Sequence, residues 1–243
     1  MALGQTPPPT GEVHHQVGVV VVAAGESRRM GGVDKIFASL LGMPLIAHTV
    51  ELFELSPLVQ ELVLVLPPGR VDEGVALAQE RRWQKVVAIC PGGLSRQISV
   101  RNGLERLSSC DWVVVHDGAR PCLDSELLQR GLEAVRETGA AIAAIPATDT
   151  VKAVTSEGLV ESTPNREHLR MEQTPQIFDY QLLLRAHQTC RQELTDDAAM
   201  VEALGHPIKV FMGSYHNLKV TTPKDLTLAE TLIKAKVEQE STG

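Results

Sequence analysis

Short apolar runs rich in Val and Ile recur along the chain, at Val17–Ala24, Leu62–Leu66, Lys85–Cys90, Trp112–His116 and Ala140–Ile145. Polar residues do not alternate with apolar ones inside them. Both faces of each run are therefore expected to be buried, as in a parallel sheet covered by helices. Between the runs lie amphipathic stretches of helical length. Pro44–Leu55 carries apolar residues at Leu45, Ile46, Val50, Leu52 and Phe53. Val71–Gln79, Arg96–Leu107 and Ser125–Glu137 follow the same logic, and Asp124 is placed to cap the last. The alternation of strand and helix predicts an open α/β sheet with right-handed crossovers.

After Ile145 the rhythm changes. Thr150–Val154, a turn at Ser156–Gly158 and Leu159–Ser162 read as a hairpin too short to stand as a domain. It is either a surface excursion or an arm that packs on a second copy of the chain. Helices return around Asp179–Thr189 and Thr195–Leu204, a strand follows at Ile208–Met212, and Pro223 opens a last helix through about Val237. The expected organisation is a disordered tail over 1–16, one domain over 17–238 with a β-arm at about 148–172, and a short tail over 239–243.

Composition narrows the partners. Lys and Arg number 23 against 30 Asp and Glu, a net charge of −7, which argues against a polyanion such as nucleic acid. Phe 4, Trp 2 and Tyr 2 leave few rings on which single-stranded bases could stack. A small anionic ligand held by a few placed cations remains open. Cys90, Cys110, Cys122 and Cys190 have neither the CxxC spacing of a zinc site nor the density of a disulfide framework. No apolar run approaches the roughly 20 residues of a membrane span, and no signal-peptide pattern is present, so the expected location is cytoplasmic.

Two segments concentrate chemistry. In VVVVAAGESRRMGGVDK, Val19–Lys35, a buried strand runs into Ala23, Ala24 and Gly25, with Arg28, Arg29 and Lys35 close behind. Small residues let a ligand approach the backbone, and successive N–H groups can cradle an anion. The segment is neither a Walker loop nor the G-x-G-x-x-G dinucleotide turn. A plain strand-to-helix turn with surface arginines would look the same. In HDGARP, His116–Pro121, Asp117 ends an apolar strand and Arg120 follows. A carboxylate there can hold Mg²⁺ or a ribose hydroxyl, or can simply cap the next helix. His116 reads as a packed strand-end residue. The other polar features are Gly92-Gly93 with Arg96 and Ser99, Asp149-Thr150-Val151-Lys152, Arg166, Thr174-Pro175-Gln176, Thr195-Asp196 and Asn217–Thr221.

Taken in order, AAG-x-x-x-RM, HD-x-ARP, P-x-x-DT-x-K, TPQ-x-F, TD and N-x-KVT-x-P-x-DL resemble the 2-C-methyl-D-erythritol 4-phosphate cytidylyltransferases of the non-mevalonate isoprenoid pathway, from about Val17 to Val237. The resemblance implies a single open, mostly parallel Rossmann-like sheet of the nucleotidyltransferase type with a protruding β-arm. It implies transfer of CMP from CTP to methylerythritol phosphate with release of pyrophosphate. It implies Mg²⁺ or another divalent cation, with Asp117 as its candidate ligand, and a homodimer formed through the arm. Position by position, Arg29 and Lys35 match the residues that stabilise transition-state charge. Ala23, Ala24 and Gly25 match the loop around the nucleotide, and Gly92, Gly93, Arg96 and Ser99 the segment around cytosine and ribose. Asp117 matches the acidic residue near ribose and metal. Arg120, Thr150, Thr174, Arg166 and Lys219 match the groups that receive the acceptor, with Arg166 and Lys219 on its phosphate. Ser27 and Asp34 stand where many relatives have Gly and Pro, and the loop before Lys35 is one residue shorter than a common version. The rival readings are a cytidylyltransferase for ribitol 5-phosphate or a related polyol phosphate, a non-catalytic nucleotide-binding regulatory domain, and a dehydrogenase, the last disfavoured by the missing glycine fingerprint.

Overall fold

The computed structural model describes residues 15–25, 35–108 and 110–240. Its centre is a seven-stranded sheet in the order β11-β7-β10-β6-β1-β4-β5. The strands are β1 (Val17–Val22), β4 (Glu61–Leu66), β5 (Val86–Pro91), β6 (Trp112–Asp117), β7 (Ala140–Pro146), β10 (Arg170–Asp179) and β11 (Lys209–Met212). Two minor hairpins are β2 (Ser39–Leu40) with β3 (Met43–Pro44), and β8 (Ala153–Val154) with β9 (Val160–Ser162).

Both faces of the sheet are apolar, and successive residues feed opposite layers. Val19 and Val21 join one core with Ile46, Val50 and Phe53 of α1 (Leu45–Glu54), Leu77 of α2 (Val71–Arg81) and Leu127, Leu132 and Val135 of α4 (Ser125–Thr138). Val20 points the other way, into a core with Val100 and Leu104 of α3 (Arg96–Leu104), Leu183 and Ala186 of α5 (Tyr180–Thr189), and Met200 and Val201 of α6 (Asp197–Glu202). Helix α7 (Pro223–Glu240) packs through Ala229 on Leu40, Leu45 and Val220. Asp124 caps α4 as expected, accepting from Leu127 N–H at 2.6 Å.

The structure departs from the sequence reading in two places. First, β5 is an edge strand, paired only with β4 among the described residues, and Val87 is half exposed; it is not buried on both faces. Second, the segment around Thr174-Pro175-Gln176 belongs to a strand that the sequence pattern does not indicate. It lies in β10, which runs antiparallel between β6 and β7 while the other sheet pairings are parallel. The register slips between Gln173 and Gln176, around a cis Thr174–Pro175 bond. The slip lets a proline occupy an interior strand despite its missing donor. Because β10 runs backwards, its early residues sit at the same end of the sheet as the carboxyl ends of β1 and β6. Ligands in open α/β sheets bind at that end.

Candidate active site at the carboxyl end of the sheet

Main-chain approaches build the floor of the site. Beyond β1, Ala23 N–H donates to Val65 O at 2.8 Å, and Gly118 N–H donates to Val22 O at 2.8 Å. A Cβ on Gly118 would fall 2.7 Å from the Ala23 Cβ, and one on Gly92 would fall 2.2 Å from the Ala24 Cβ. Neither position has room for a side chain. Gly93 N–H donates to Ser99 Oγ at 3.1 Å, and that hydroxyl donates to Ser95 O at 2.8 Å, so the loop after β5 is tied to the first turn of α3. Gly25 is exposed, and a Cβ on it would meet nothing within 4 Å among the described residues.

Asp117, the last residue of β6, is the electrostatic hub. Its Oδ2 lies 2.8 Å from Lys219 Nζ and 3.5 Å from Arg120 Nε, and its Oδ1 lies 3.7 Å from Arg96 Nε. Burial opposes ionisation of Asp117, but Lys219, Arg96 and Arg120 outweigh it and hold the carboxyl well below the usual carboxylate range. For buried Arg120 the balance falls the other way, and desolvation draws its pKa down despite Asp117.

Hydrogen bonds fix the surroundings. His116 Nε2 faces Arg120 O at 3.2 Å, an acceptor only, so the ring proton sits on Nε2. Its Nδ1 then accepts from the Thr174 hydroxyl at 3.1 Å, while Thr174 Oγ1 accepts from Asp117 N–H at 3.0 Å. Burial draws the His116 pKa down to about 4, which keeps this neutral ring in place. Asn217 Nδ2 donates to Thr174 O at 2.7 Å and Asn217 O accepts from Arg120 at 2.7 Å. The backbone of Val220 bonds Ala119 O at 2.8 Å and receives Lys35 Nζ at 3.2 Å. The chain before α7 is thus drawn onto the HDGARP loop, bringing Lys35 and Lys219 with it.

Arg96 bridges to a second anion. Its NH1 reaches Asp197 Oδ2 at 2.5 Å, and Asp197 Oδ1 faces His187 Nε2 at 3.0 Å. Burial would lower the Arg96 pKa, but Asp197 and then Asp117 outweigh it and hold the guanidinium firmly charged. Asp196 caps α6. Glu172 on β10 accepts from Gln176 Nε2. Burial first, and then a hydrogen bond to Asp196 and its charge, push the Glu172 carboxyl up to about 9. With Glu172 protonated at neutral pH, the three carboxylates Asp117, Asp196 and Asp197 stand against the four cations Arg96, Arg120, Lys219 and Lys35.

The structure therefore brings together Ala23, Ala24, Lys35, Gly92, Gly93, Arg96, Ser99, Asp117, Arg120, Thr174 and Lys219. Thr150 and Arg166 make no hydrogen bond or ion pair to this cluster among the described residues: both are exposed, and Arg166 NH1 donates to Thr148 O at 2.8 Å within the arm. Arg29 lies outside the described residues. His187, Asp197 and Glu172 escape the sequence reading, because a lone His in a helix and a second Asp beside a cap carry no spacing signal. Cys122 and Cys110 are poor nucleophiles: burial pushes the Cys122 thiol up to about 11 and, with the charge of Glu61, the Cys110 thiol up to about 12. Among the described residues no three His, Cys, Asp or Glu side chains gather as a metal cluster.

Such a site suits the binding of phosphorylated ligands by positioning and charge. The family model described as 2-C-methyl-D-erythritol 4-phosphate cytidylyltransferase matches residues 17–235. A protein of that name from Dehalococcoides mccartyi is 48% identical over 91% of this chain and 98% of its own length. One from Alkaliphilus oremlandii is 42% identical over 90% and 96%. Among solved structures, the enzyme of the same name from Thermus thermophilus superposes with a TM-score of 0.72 at 34% identity, covering 88% of this chain and 98% of that one. A 4-diphosphocytidyl-2C-methyl-D-erythritol synthase from Anaerococcus prevotii gives a TM-score of 0.80 at 26% identity, covering 91% and 99%.

Proposed function

Because the chain belongs to the 2-C-methyl-D-erythritol 4-phosphate cytidylyltransferase family, we propose that it transfers CMP from CTP to 2-C-methyl-D-erythritol 4-phosphate. The products are 4-diphosphocytidyl-2-C-methyl-D-erythritol and pyrophosphate. A phosphate oxygen of the acceptor attacks the α-phosphorus in line, while the bond from that phosphorus to the bridging oxygen of the departing pyrophosphate breaks. No covalent enzyme intermediate is needed, so the protein contributes positioning and charge. The observation that carries this reading is the convergence of Lys219, Arg120 and Arg96 on Asp117 at the carboxyl end of β6.

In this reading Gly92, Gly93, Arg96 and Ser99 hold cytosine and ribose, and the lack of a side chain at Gly92 lets that loop pass close to Ala24 and Ser99. Ala23, Ala24 and Gly25 line the triphosphate. Arg29 and Lys35 stabilise charge on the α-phosphoryl oxygens and the leaving group. Lys219, Arg120 and Thr174 receive the acceptor. Thr150 and Arg166 complete that pocket from the arm of a second copy, a homodimer supported by the exposed apolar tip at Val154, Leu159 and Val160. Asp117 fits a divalent cation as a single protein ligand. Its Oδ2 is engaged by Lys219 and Arg120, its Oδ1 is met at 3.7 Å by Arg96, and Mg²⁺ takes one or two carboxylates beside substrate phosphates. A cation held there would withdraw charge from the phosphates. The reaction is assigned to the cytoplasm, where CTP is made; no helix among the described residues is long and apolar enough to cross a membrane.

The test is pyrophosphate release over a matrix of nucleoside triphosphates and polyol phosphates, with Mg²⁺. Turnover is expected with CTP and methylerythritol phosphate. Release with ribitol 5-phosphate but not with methylerythritol phosphate would overturn the acceptor, and thermal stabilisation by NAD but not by CTP with Mg²⁺ would overturn the nucleotide.

A further inference from the structure

We propose that Asp197, oriented by His187, is a positioning residue that fixes the Arg96 guanidinium for nucleotide binding. This rests on the reading of Arg96 as part of the cytidine pocket. Asp197 and His187 have side chains with no solvent exposure, 3.0 Å apart, at the start of α6 and in the last turn of α5. They lie in the apolar layer that contains Ala186, Ala198, Met200 and Val201. Neither belongs to the loops that line the opening of the site. A carboxylate is costly to bury unless its partners are well placed. Here one oxygen takes the imidazole Nε2 and the other takes Arg96 NH1. His187 Nδ1 has no partner among the described residues, so the ring proton is on Nε2 and is given to Asp197.

Arg96 is held unequally from its two sides. The contact to Asp197 is a close charge-assisted hydrogen bond, whereas its Nε stands 3.7 Å from Asp117. The tight anchor is the buried one. The loose contact faces the hub shared with Lys219 and Arg120, where a ligand oxygen can take over a partner. When Asp117 turns to a ligand, the Asp197 bond keeps Arg96 in place, so the arginine meets the nucleotide with its rotamer already fixed. Preorganisation of this kind appears in affinity for the nucleotide rather than in the chemical step.

The experiment is steady-state kinetics and CTP binding for Asp197→Asn, His187→Gln, His187→Leu and Arg96→Met, with Asp197→Asn repeated in the Arg96→Met background. Asp197→Asn is expected to raise KM for CTP about tenfold to a hundredfold, the scale of one hydrogen bond to a charged group. The kcat and the KM for the acceptor should stay within about threefold. His187→Leu should shift the same parameter, and His187→Gln, which keeps a donor, should recover most of it. In the Arg96→Met background Asp197→Asn should do nothing more, because its effect passes through the arginine. An unchanged KM for CTP, an equal loss in all parameters, or an undiminished effect in the Arg96→Met background would overturn the proposal. If Asp197→Asn fails to fold, the His187 pair decides by the same criteria. Wild-type protein that does not bind CTP would instead overturn the cytidine reading of the pocket.

Discussion

The end of the sheet around Asp117 and the hairpin of β8 and β9 differ in nearly every physical respect. At Asp117 the side chains are polar and, apart from exposed Lys219 and half-buried Arg96, buried, and they pair within one chain: Lys219, Arg120 and Arg96 on Asp117, then Asp197 and His187 behind Arg96. In the hairpin the side chains include apolar ones left in water, with Val154 57%, Leu159 63% and Val160 61% exposed. Two short strands are marginal by themselves. The ion pairs of the first region close within one chain, whereas the second leaves apolar side chains uncovered.

Removing charge from the wired end should have the largest effect. Lys35→Ala is expected to lower kcat by about 10²–10³, the scale of one lost transition-state donor, measured as pyrophosphate release under saturating substrates. A near-wild-type rate would take Lys35 out of the charge-stabilising role. The arm comes next. For Val160→Glu, sedimentation should show a dimer turned into a monomer, and activity should fall with the dimer fraction. A wild-type protein that is fully active as a monomer would erase the contrast between the two regions.

The smallest expected effect is at the seam, where β10 leads from the arm to the site. The folded state keeps the Glu172 proton up to about 9, whereas an ordinary glutamate releases it near 4.5. Across that window the unfolded chain ionises and the folded one does not, so stability drains away as pH rises. His116 acts in the opposite sense: with its pKa drawn down to about 4 from 6.5, it removes stability as pH falls through that range. Glu172→Gln should therefore flatten the decline in urea midpoint between pH 5 and 9. A decline as steep as that of the wild type would assign it to another group.

The parallel half of the fold is legible because β1, β4, β6 and β7 are buried on both faces and their apolar runs say so. The same run at β5 hides that it is an edge, since exposure on one side depends on which strand is absent. Strand β10 is illegible for a deeper reason. Gln173, Thr174 and Gln176 are buried and polar, and Pro175 lacks a donor. Such residues read as loop unless their partners are known, and their partners, Ser214, Asn217, His116 and Glu172, come from remote segments or from the strand itself. In the site, strand-end motifs locate Asp117 and Arg120. Sequence cannot tell that neighbouring Asp196 and Asp197 part ways, one capping a helix and the other sealed beneath Arg96.

The pairing of carboxylates with cations around Asp117 has a consequence for how the resting pocket treats salt. It resembles an ion-exchange resin supplied in one ionic form, with the counterion already bound to the matrix. A dilute monovalent anion gains little by displacing a tethered carboxylate that several cations share. A polyphosphate offers several charges at once and can engage all those cations together. Chloride is therefore expected to compete only weakly with multiply charged anions for this pocket.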